Sequence, residues 1–111
     1  MNEHDSDDVD IDAHLHLETG IADDERSMVV ESLEPLCGLL KSFDRGSLRI
    51  EAWVKNRSER GQLTYMSIHA KDTDVVAHDD SADLTDALVG VRKDLKRQLR
   101  DLSDRRTDRR R

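Results

Sequence analysis

The stretch DLTDALVGVRKDLKRQLRDL, residues 83–102, decides the fold of this chain. Its apolar residues recur at steps of three and four, which places them on one face of an α-helix. These residues are Leu84, Leu88, Val91, Leu95, Leu99 and Leu102. Five cations, which we call the basic arc, fall within about 140° of the other side at 100° per residue. They are Arg92, Lys93, Lys96, Arg97 and Arg100. The stretch therefore predicts a helix with one core face and one strongly positive face.

The composition of the chain predicts one small domain with an aliphatic core. Its 111 residues are 39% charged, 35% hydrophobic and only 3% aromatic. No apolar run approaches the length of about 18 residues that a membrane helix needs. The first twenty residues are acidic and are not a signal peptide, and the single cysteine, Cys37, excludes an internal disulfide. We therefore expect a cytoplasmic protein that has no membrane partner.

Charge is distributed very unevenly along the chain. Residues 1–25 carry ten acidic residues and no Lys or Arg, whereas residues 89–111 carry ten bases and four acids. Such a split indicates either a nucleic-acid-binding C-terminal segment or an acidic segment that competes for it. The pI of about 5.1 does not exclude nucleic-acid binding, because the local field matters more than the net charge.

The first half of the chain predicts an arm, a strand and an interrupted helix. Residues 1–9 read as a disordered acidic arm. Apolar and polar residues alternate from Ile11 to Glu18, which predicts a half-buried strand. A helix is expected over residues 23–40, with acidic residues at its start. Pro35 lies inside it, so the helix either stops near Leu33 and restarts or kinks at the proline.

The second half predicts three strands joined by short loops, at residues 48–55, 63–70 and 74–78, followed by the helix of residues 83–102. Residues 103–111 read as a basic, disordered tail, which leaves one domain over residues 10–102. The order β-α-β-β-β-α predicts an α+β two-layer sandwich, with both helices on one face of a four-stranded sheet. The later strands form an antiparallel meander, and the helical crossover makes the first strand a parallel neighbour.

The other sheet face is expected to be open and to display polar and aromatic side chains. These are Asp12, His14, His16, Arg49, Glu51, Trp53, Lys55, His69 and His78. We interpret the histidines as exposed polar residues and not as metal ligands. Trp53 either stacks on a nucleic-acid base beside Arg49 and Lys55 or is covered by the aliphatic stems of its neighbours. No pattern of nucleophile and base or of a phosphate-binding loop is present, so we expect no enzyme, no cofactor and no small-molecule substrate.

Two segments carry a resemblance to a known family. The last helix opens with Asp83-Leu84-Thr85 and continues through Leu95-Lys96-Arg97-Gln98-Leu99, and Val75-Val76-Ala77 precedes it as the last strand. With the order of elements, these residues resemble the ribosome hibernation promoting factor family, also called ribosomal subunit interface or sigma-54 modulation proteins, in its short form. The resemblance covers roughly residues 10–102.

The resemblance implies a translation-silencing factor that occupies the mRNA and tRNA channel of the small ribosomal subunit. The basic arc would contact rRNA, with secondary contacts from Lys55, Arg57, Arg60 and Lys71. The family usually has a basic first helix, whereas here that helix carries five acids and one arginine. The alternative is therefore a protein–protein regulatory module of the same fold that has lost rRNA binding and forms a homodimer or docks a basic partner.

Overall fold

The elements follow the predicted order from one end of the chain to the other. A computed structural model describes residues 9–43, 45–71 and 73–110, including every side chain except those of Arg45 and residues 105–110. Within these ranges the α-helices are α1 (Ile11–His14), α2 (Arg26–Leu33), α3 (Cys37–Leu40) and α4 (Leu84–Arg110). The strands are β1 (Leu15–Leu17), β2 (Arg49–Lys55), β3 (Leu63–Ala70) and β4 (Thr73–Asp79).

The four strands form one mixed sheet in the order β1-β2-β3-β4. β1 pairs parallel with β2, with Leu15 opposite Ile50, and the other two pairings are antiparallel. The parallel pair is joined through the α2–α3 layer and the antiparallel pairs through short loops, as the connection rules require. The predicted α+β sandwich with its β-α-β-β-β-α order is confirmed.

The prediction of a strand from Ile11 to Glu18 is wrong in its first half. Residues 11–14 form one turn of helix, and only residues 15–17 are strand. The side chain of Asp10 caps this turn by accepting a hydrogen bond from the N–H of Ala13 at 3.4 Å. Ile11 and Leu15 are both buried, and a spacing of four places both on one side of a helical turn. The apolar spacing of residues 11–15 is therefore compatible with a strand and with a helical turn, and the cap by Asp10 favours the helical turn.

α2 ends at Leu33 and the helix restarts as α3 through Leu40, which is the first of the two alternatives predicted at Pro35. Residues Asp23–Glu25 form a 3₁₀ turn that leads into α2, and a second 3₁₀ turn, Glu34–Leu36, joins α2 to α3. Pro35 has no N–H to donate, so the tighter turn accommodates it at the start of a new helical segment. The segment thus keeps its buried side through Val29, Leu33, Leu36 and Leu40.

One aliphatic core lies between the helices and the sheet. The sheet contributes Ile50, Ala52, Val54, Met66, Ile68, Val75 and Ala77. α4 contributes the predicted Leu84, Leu88, Val91, Leu95 and Leu99. The predicted inward orientation of Met66 and Ile68 is confirmed. Each fully buried leucine stabilises the fold by about 1.5–3 kcal/mol, so the apolar face of α4 is a major source of stability.

The described structure extends beyond residues 10–102 at both ends. Val9, which we assigned to the arm, is buried in the core, whereas residues 1–8 lie outside the described ranges. α4 ends at Arg110 and not at the predicted Leu102. Residues 103–110 contain no glycine or proline, and a helix whose first half is packed propagates at little cost. The division into arm, domain and disordered tail stays a prediction. In the described part of the chain, no helix is long and apolar enough to cross a membrane.

Candidate nucleic-acid interface

The basic arc lies on the outer side of α4 and reaches the edge of the sheet, where Arg97 lines a pocket with Thr73 and Asp74 of β4. Lys93, Arg97 and Arg100 are exposed, and Arg92 and Lys96 are half-buried. This arrangement follows from the sequence, because burying Leu88, Leu95 and the other apolar residues leaves the cations no other direction. All five predicted residues therefore share one surface of a single helix.

Arg97 is partly neutralised within its own helix. Its guanidinium pairs with the carboxylate of Asp94 one turn earlier, and it lies 3.9 Å from a carboxylate oxygen of Asp101 one turn later. Gln98 also donates to Asp94, at 3.2 Å. Among the described side chains, no carboxylate lies within ion-pair distance of the other four cations. The available positive charge is thus concentrated in Arg92, Lys93, Lys96 and Arg100.

α2 places acidic side chains beside the basic arc. A groove between α2 and α4 is lined by Met28, Glu31, Leu88, Val89 and Arg92, so Glu31 and Arg92 face the same groove. A second groove along α1 and α2 has five carboxylates in its lining, together with Arg26, which pairs with one of them. The carboxylates are those of Asp12, Asp23, Asp24, Glu31 and Glu34. An RNA backbone would be attracted to α4 and repelled by α2.

Arg57, one of the predicted secondary contacts, holds the fold together. Its guanidinium donates to both carboxylate oxygens of Glu25, at 2.9 and 2.7 Å, and to the carbonyl of Gly20 at 2.8 Å. The Arg57 bond and the N–H of Ala22 lower the pKa of Glu25 to about 2, and Glu25 in turn raises the pKa of Arg57. This bridge ties the β2–β3 loop to the start of α2, so the guanidinium is already engaged. An RNA-binding role for Arg57 remains a prediction.

The other three secondary residues do not form one site. Arg60 is exposed in the loop between β2 and β3, and Lys71 is exposed in the turn between β3 and β4, at the opposite end of the sheet. Lys55 lies on the open sheet face, with its Nζ 5.2 Å from the centre of the Tyr65 ring. Lys71 therefore lies at the opposite end of the sheet from Lys55 and Arg60, and Lys55 faces away from the helical side of the molecule.

A row of three rings crosses the open sheet face. Trp53 and Tyr65 are cross-strand partners whose ring centres are 5.2 Å apart and whose planes differ by 2°. The ring of His78 follows on β4, 5.5 Å from that of Tyr65. Trp53 therefore stacks on a ring of its own chain, an arrangement that neither sequence reading named. The strand register would have revealed it, since Trp53 and Tyr65 meet only when Glu51 pairs with Ser67.

A polar network occupies the other end of the open face. Arg49 donates to Glu51 at 2.7 Å and lowers the pKa of that carboxyl. His69 Nδ1 lies 2.7 Å from Asp74, and His69 Nε2 lies 3.1 Å from the Ser67 hydroxyl. This connectivity is that of a Ser-His-Asp triad, but Ser67 is 4% exposed on a strand paired on both sides. Its backbone N–H is thus committed to the sheet and cannot stabilise an oxyanion.

The histidines are less clustered than the sequence suggested. His14 lies in α1, where its Nδ1 is 3.1 Å from the Leu48 carbonyl, while His16, His69 and His78 lie on three different strands. In residues 9–43, 45–71 and 73–110, no three His, Cys, Asp or Glu side chains are grouped so that they could hold a metal ion.

The fold of this chain is shared with a class of known proteins. No family model matches the chain, and no curated protein matches it either. Solved structures do match over about four fifths of its length, among them the N-terminal domain of a Protein Y and a ribosomal subunit interface protein. The match to this class confirms, at the level of the fold, the resemblance that the last helix indicated.

Two of these structures give the measure of the similarity. The N-terminal domain of Thermus thermophilus Protein Y is 17% identical, with a TM-score of 0.61, over 80% of this chain and 98% of that one. A ribosomal subunit interface protein from Coxiella burnetii is 15% identical, with a TM-score of 0.63, over 82% of this chain and 98% of that one. At this identity the similarity establishes the shared fold, and the function has to be argued from the site.

Proposed function

We propose that this chain is a ribosome-binding, translation-silencing factor that occupies the mRNA and tRNA channel of the small subunit. The observation that carries the proposal is the basic arc, an exposed positive surface on the longest helix of a fold shared with ribosomal subunit interface proteins. The chain would act in the cytoplasm as a binder and not as an enzyme, and it would need no cofactor.

The mechanism is phosphate neutralisation combined with steric occlusion. RNA duplexes are recognised mainly by shape and backbone contacts, which suits a row of cations on a straight helix. Arg92, Lys96 and Arg100 recur every four residues, a rise of about 6 Å per step. Each phosphate that they neutralise releases counterions, so affinity should fall steeply with salt, with a log–log slope of about −0.7 to −0.9 per contact.

The charges around the arc restrict how RNA can approach. Glu31 and its neighbours on α2 lie along one flank of the arc, and Asp94 and Asp101 lie along the other. An RNA backbone would therefore run along the outer side of α4. Arg60 and Lys71, at the two ends of the sheet, remain candidates for secondary contacts.

Co-sedimentation with purified small ribosomal subunits tests the proposal. The wild-type chain should pellet with the subunits at low salt and much less at moderate salt, and it should displace labelled tRNA and mRNA from them. The variant Lys93→Glu/Lys96→Glu/Arg100→Glu should lose binding. Lys41→Glu, an exposed lysine after α3, shows whether a charge reversal outside the arc has any effect.

The outcomes separate the parts of the proposal. If the wild-type chain does not pellet with subunits even at low salt, ribosome binding is wrong. If the triple variant binds as well as the wild type, the basic arc is not the binding surface. Binding without displacement of tRNA or mRNA would move the site out of the channel.

A protein–protein regulatory module is the second candidate, and one observation favours it. The groove along α1 and α2 concentrates five carboxylates on the helical side, where an RNA-binding domain would be expected to carry cations. Such a groove suits a basic protein segment. Failure of the wild-type chain to bind subunits, together with salt-sensitive binding of a basic peptide, would support this alternative.

A further inference from the structure

β4 is an edge strand whose outer backbone faces away from the sheet. Within the described residues it pairs only with β3. Along an antiparallel strand, the backbone N–H and C=O groups of successive residues point alternately to the two sides. The carbonyl of Val76 points away from β3, since it accepts a hydrogen bond from the side chain of Gln98 on α4, at 2.9 Å. Asp74 and His78 therefore direct their backbone groups outward as well.

A single side-chain amide occupies the position where a further strand would lie. Among the described residues, Gln98 is the one partner of the outward backbone groups of β4. The N–H groups of Asp74, Val76 and His78 remain unpaired, and so do the carbonyls of Asp74 and His78. The side chain of Val76, at the middle of this edge, is 52% exposed. An unpaired edge of this kind can accept an extended peptide as an additional strand.

A groove of about 410 Å³ separates this edge from the second half of α4. Its lining includes Thr73, Asp74 and Val75 of β4 and Arg97, Gln98 and Asp101 of α4. A strand added to β4 would lie about 4.8 Å outside it, with every second side chain on the same face as Val75 and Ala77. Because α4 packs on that face, these side chains would enter the groove.

The carboxylates along the edge determine which peptide it can bind. They belong to Asp74, Asp79, Asp80, Asp94 and Asp101. Asp94 lies close to the strand, since the Gln98 nitrogen that donates to Val76 also donates to Asp94, at 3.2 Å. Arg97 pairs with Asp94 and Asp101 and is the one Lys or Arg that lines the grooves at this edge. The edge is therefore acidic overall.

We propose that the outer edge of β4 binds an extended, Lys- or Arg-rich segment of a partner protein, which joins the sheet as a fifth strand. The backbone of this segment pairs with the outward groups of Asp74, Val76 and His78. Its cations, at alternate positions, enter the groove and meet Asp94 and Asp101. The Gln98 amide gives up the Val76 carbonyl to an incoming N–H. The inference does not rest on ribosome binding.

The same charges disfavour the other occupants of an open edge. A second copy would bring a second β4 with the same acidic residues, and the chain has a net charge of −7. Like charges that face each other across a pair of strands destabilise the pairing, and charged residues on edge strands commonly prevent self-association. A nucleic acid would be repelled as well. A cationic peptide strand is attracted by these carboxylates.

A model peptide with alternating lysines tests the proposal. The acetylated and amidated peptide TKTKVKTKT has all its lysines on one face when it is extended. It should bind the full chain at micromolar concentrations at low salt and about 5- to 10-fold more weakly at about 300 mM salt. By NMR, the amides of Asp74, Val76 and His78 should exchange rapidly in the free chain and slowly in the complex. Those of Val75 and Ala77, which face β3, should be protected in both.

Three variants of the protein and one of the peptide locate the contact. Asp94→Asn/Asp101→Asn should weaken binding about 5-fold. Asp23→Asn/Asp24→Asn removes the same charge from the groove along α1 and α2 and should change affinity less than about 2-fold. Gln98→Ala leaves the charge unaltered and should strengthen binding about 2-fold, because the Val76 carbonyl is then free. N-methylation of the peptide at its valine and the two nearest threonines keeps every lysine and should abolish binding.

Each of four results would overturn the proposal. The first is absence of binding at low salt, and the second is equal binding by the N-methylated peptide, which would exclude strand addition. The third is an Asp23/Asp24 variant that loses as much affinity as the Asp94/Asp101 variant. The fourth is a sedimentation mass of two chains without peptide, together with slow exchange of the three outward amides, which would make a second copy the occupant. No ribosome is present in these experiments, so failure here leaves the proposed function untouched.

Discussion

α2 and α4 pack on the same face of the same sheet, yet they are specified in different ways. α4 is 27 residues long, and its core face repeats along its whole buried length. α2 is eight residues long, is entered and left through 3₁₀ turns, and has little amphipathic character of its own. Gly20 and the Arg57–Glu25 bridge position its start. α4 is therefore specified by its own hydrophobic periodicity, whereas α2 depends on contacts with residues that are distant in the chain.

The two helices also differ in charge. The outer side of α4 is positive through the basic arc, and the outer side of α2 and of the 3₁₀ turn that follows it is negative through Glu31 and Glu34. Because the helices are neighbours, each reduces the field of the other. An RNA partner would therefore be held by one helix against the repulsion of the other, which makes both its affinity and its salt dependence sensitive to single charges.

The largest expected effect is at the entry to α2. Gly20 has a φ of +85°, and a Cβ there would overlap the carbonyl oxygen of Val54. Gly20→Ala should therefore lower the free energy of unfolding by about 3 kcal/mol. The matched control is Gly38→Ala, where a Cβ meets no atom within 4 Å and the residue lies in α3, so stability should rise by up to about 1 kcal/mol. Chemical denaturation measures both, and equal effects would contradict the role of Gly20.

Loss of the bridge to α2 should cost less and depend on pH. At neutral pH, Glu25→Gln should lower the free energy of unfolding by about 1–2 kcal/mol, a value reduced for solvent screening because Glu25 is 20% and Arg57 32% exposed. The pKa of Glu25 is lowered from 4.5 to about 2 in the folded chain, so the stabilisation is present above pH 4.5 and is lost as the pH falls toward 2.

Denaturation curves from pH 7 to pH 2 check this expectation. The difference between the wild type and Glu25→Gln should disappear at the acid end. Glu59→Gln changes an exposed glutamate in the nearby β2–β3 loop and should behave like the wild type throughout. A difference that persisted unchanged at pH 2 would mean that the Glu25 carboxylate is not the source of the stability.

Removal of negative charge from α2 should strengthen binding to ribosomal subunits. Glu31→Gln/Glu34→Gln removes the carboxylate that shares a groove with Arg92 and a second one from the adjoining 3₁₀ turn, and affinity at low salt should rise about 3- to 5-fold. Glu18→Gln is an exposed glutamate after β1 and should change affinity less. Titration of labelled protein with subunits measures these changes, and an unchanged affinity in the double variant would show that α2 does not oppose RNA.

The smallest effect is expected within the basic arc itself. Arg97→Gln should weaken subunit binding about 2-fold or less, because Asp94 and Asp101 already pair with Arg97. Arg100→Gln removes an exposed cation that has no such pair among the described residues, and it should weaken binding more and reduce the salt slope by about 0.7–0.9. The reverse order of the two variants would show that the intrahelical pairs are broken on binding.

The fold was largely predictable from local patterns, and the exceptions have physical causes. The bounds of β3 and the core residues of α4 were predicted because each pattern fitted only one period. The first strand was mispredicted because the spacing of Ile11 and Leu15 fits a helical turn as well as a strand. The residues of the basic arc were predicted together because they lie on one helix. The predicted secondary contacts were not brought together, since Lys71 lies at the opposite end of the sheet from Lys55 and Arg60.

The sequence by itself determined the order of the elements, the core face of α4 and the positive surface opposite that face, because a helical period assigns both faces at once. Only the tertiary structure decided that Arg57 is engaged by Glu25, that Trp53 stacks on Tyr65 and that Val76 is left exposed on an open sheet. These facts depend on strand register and on contacts between residues far apart in the chain, which no local pattern specifies.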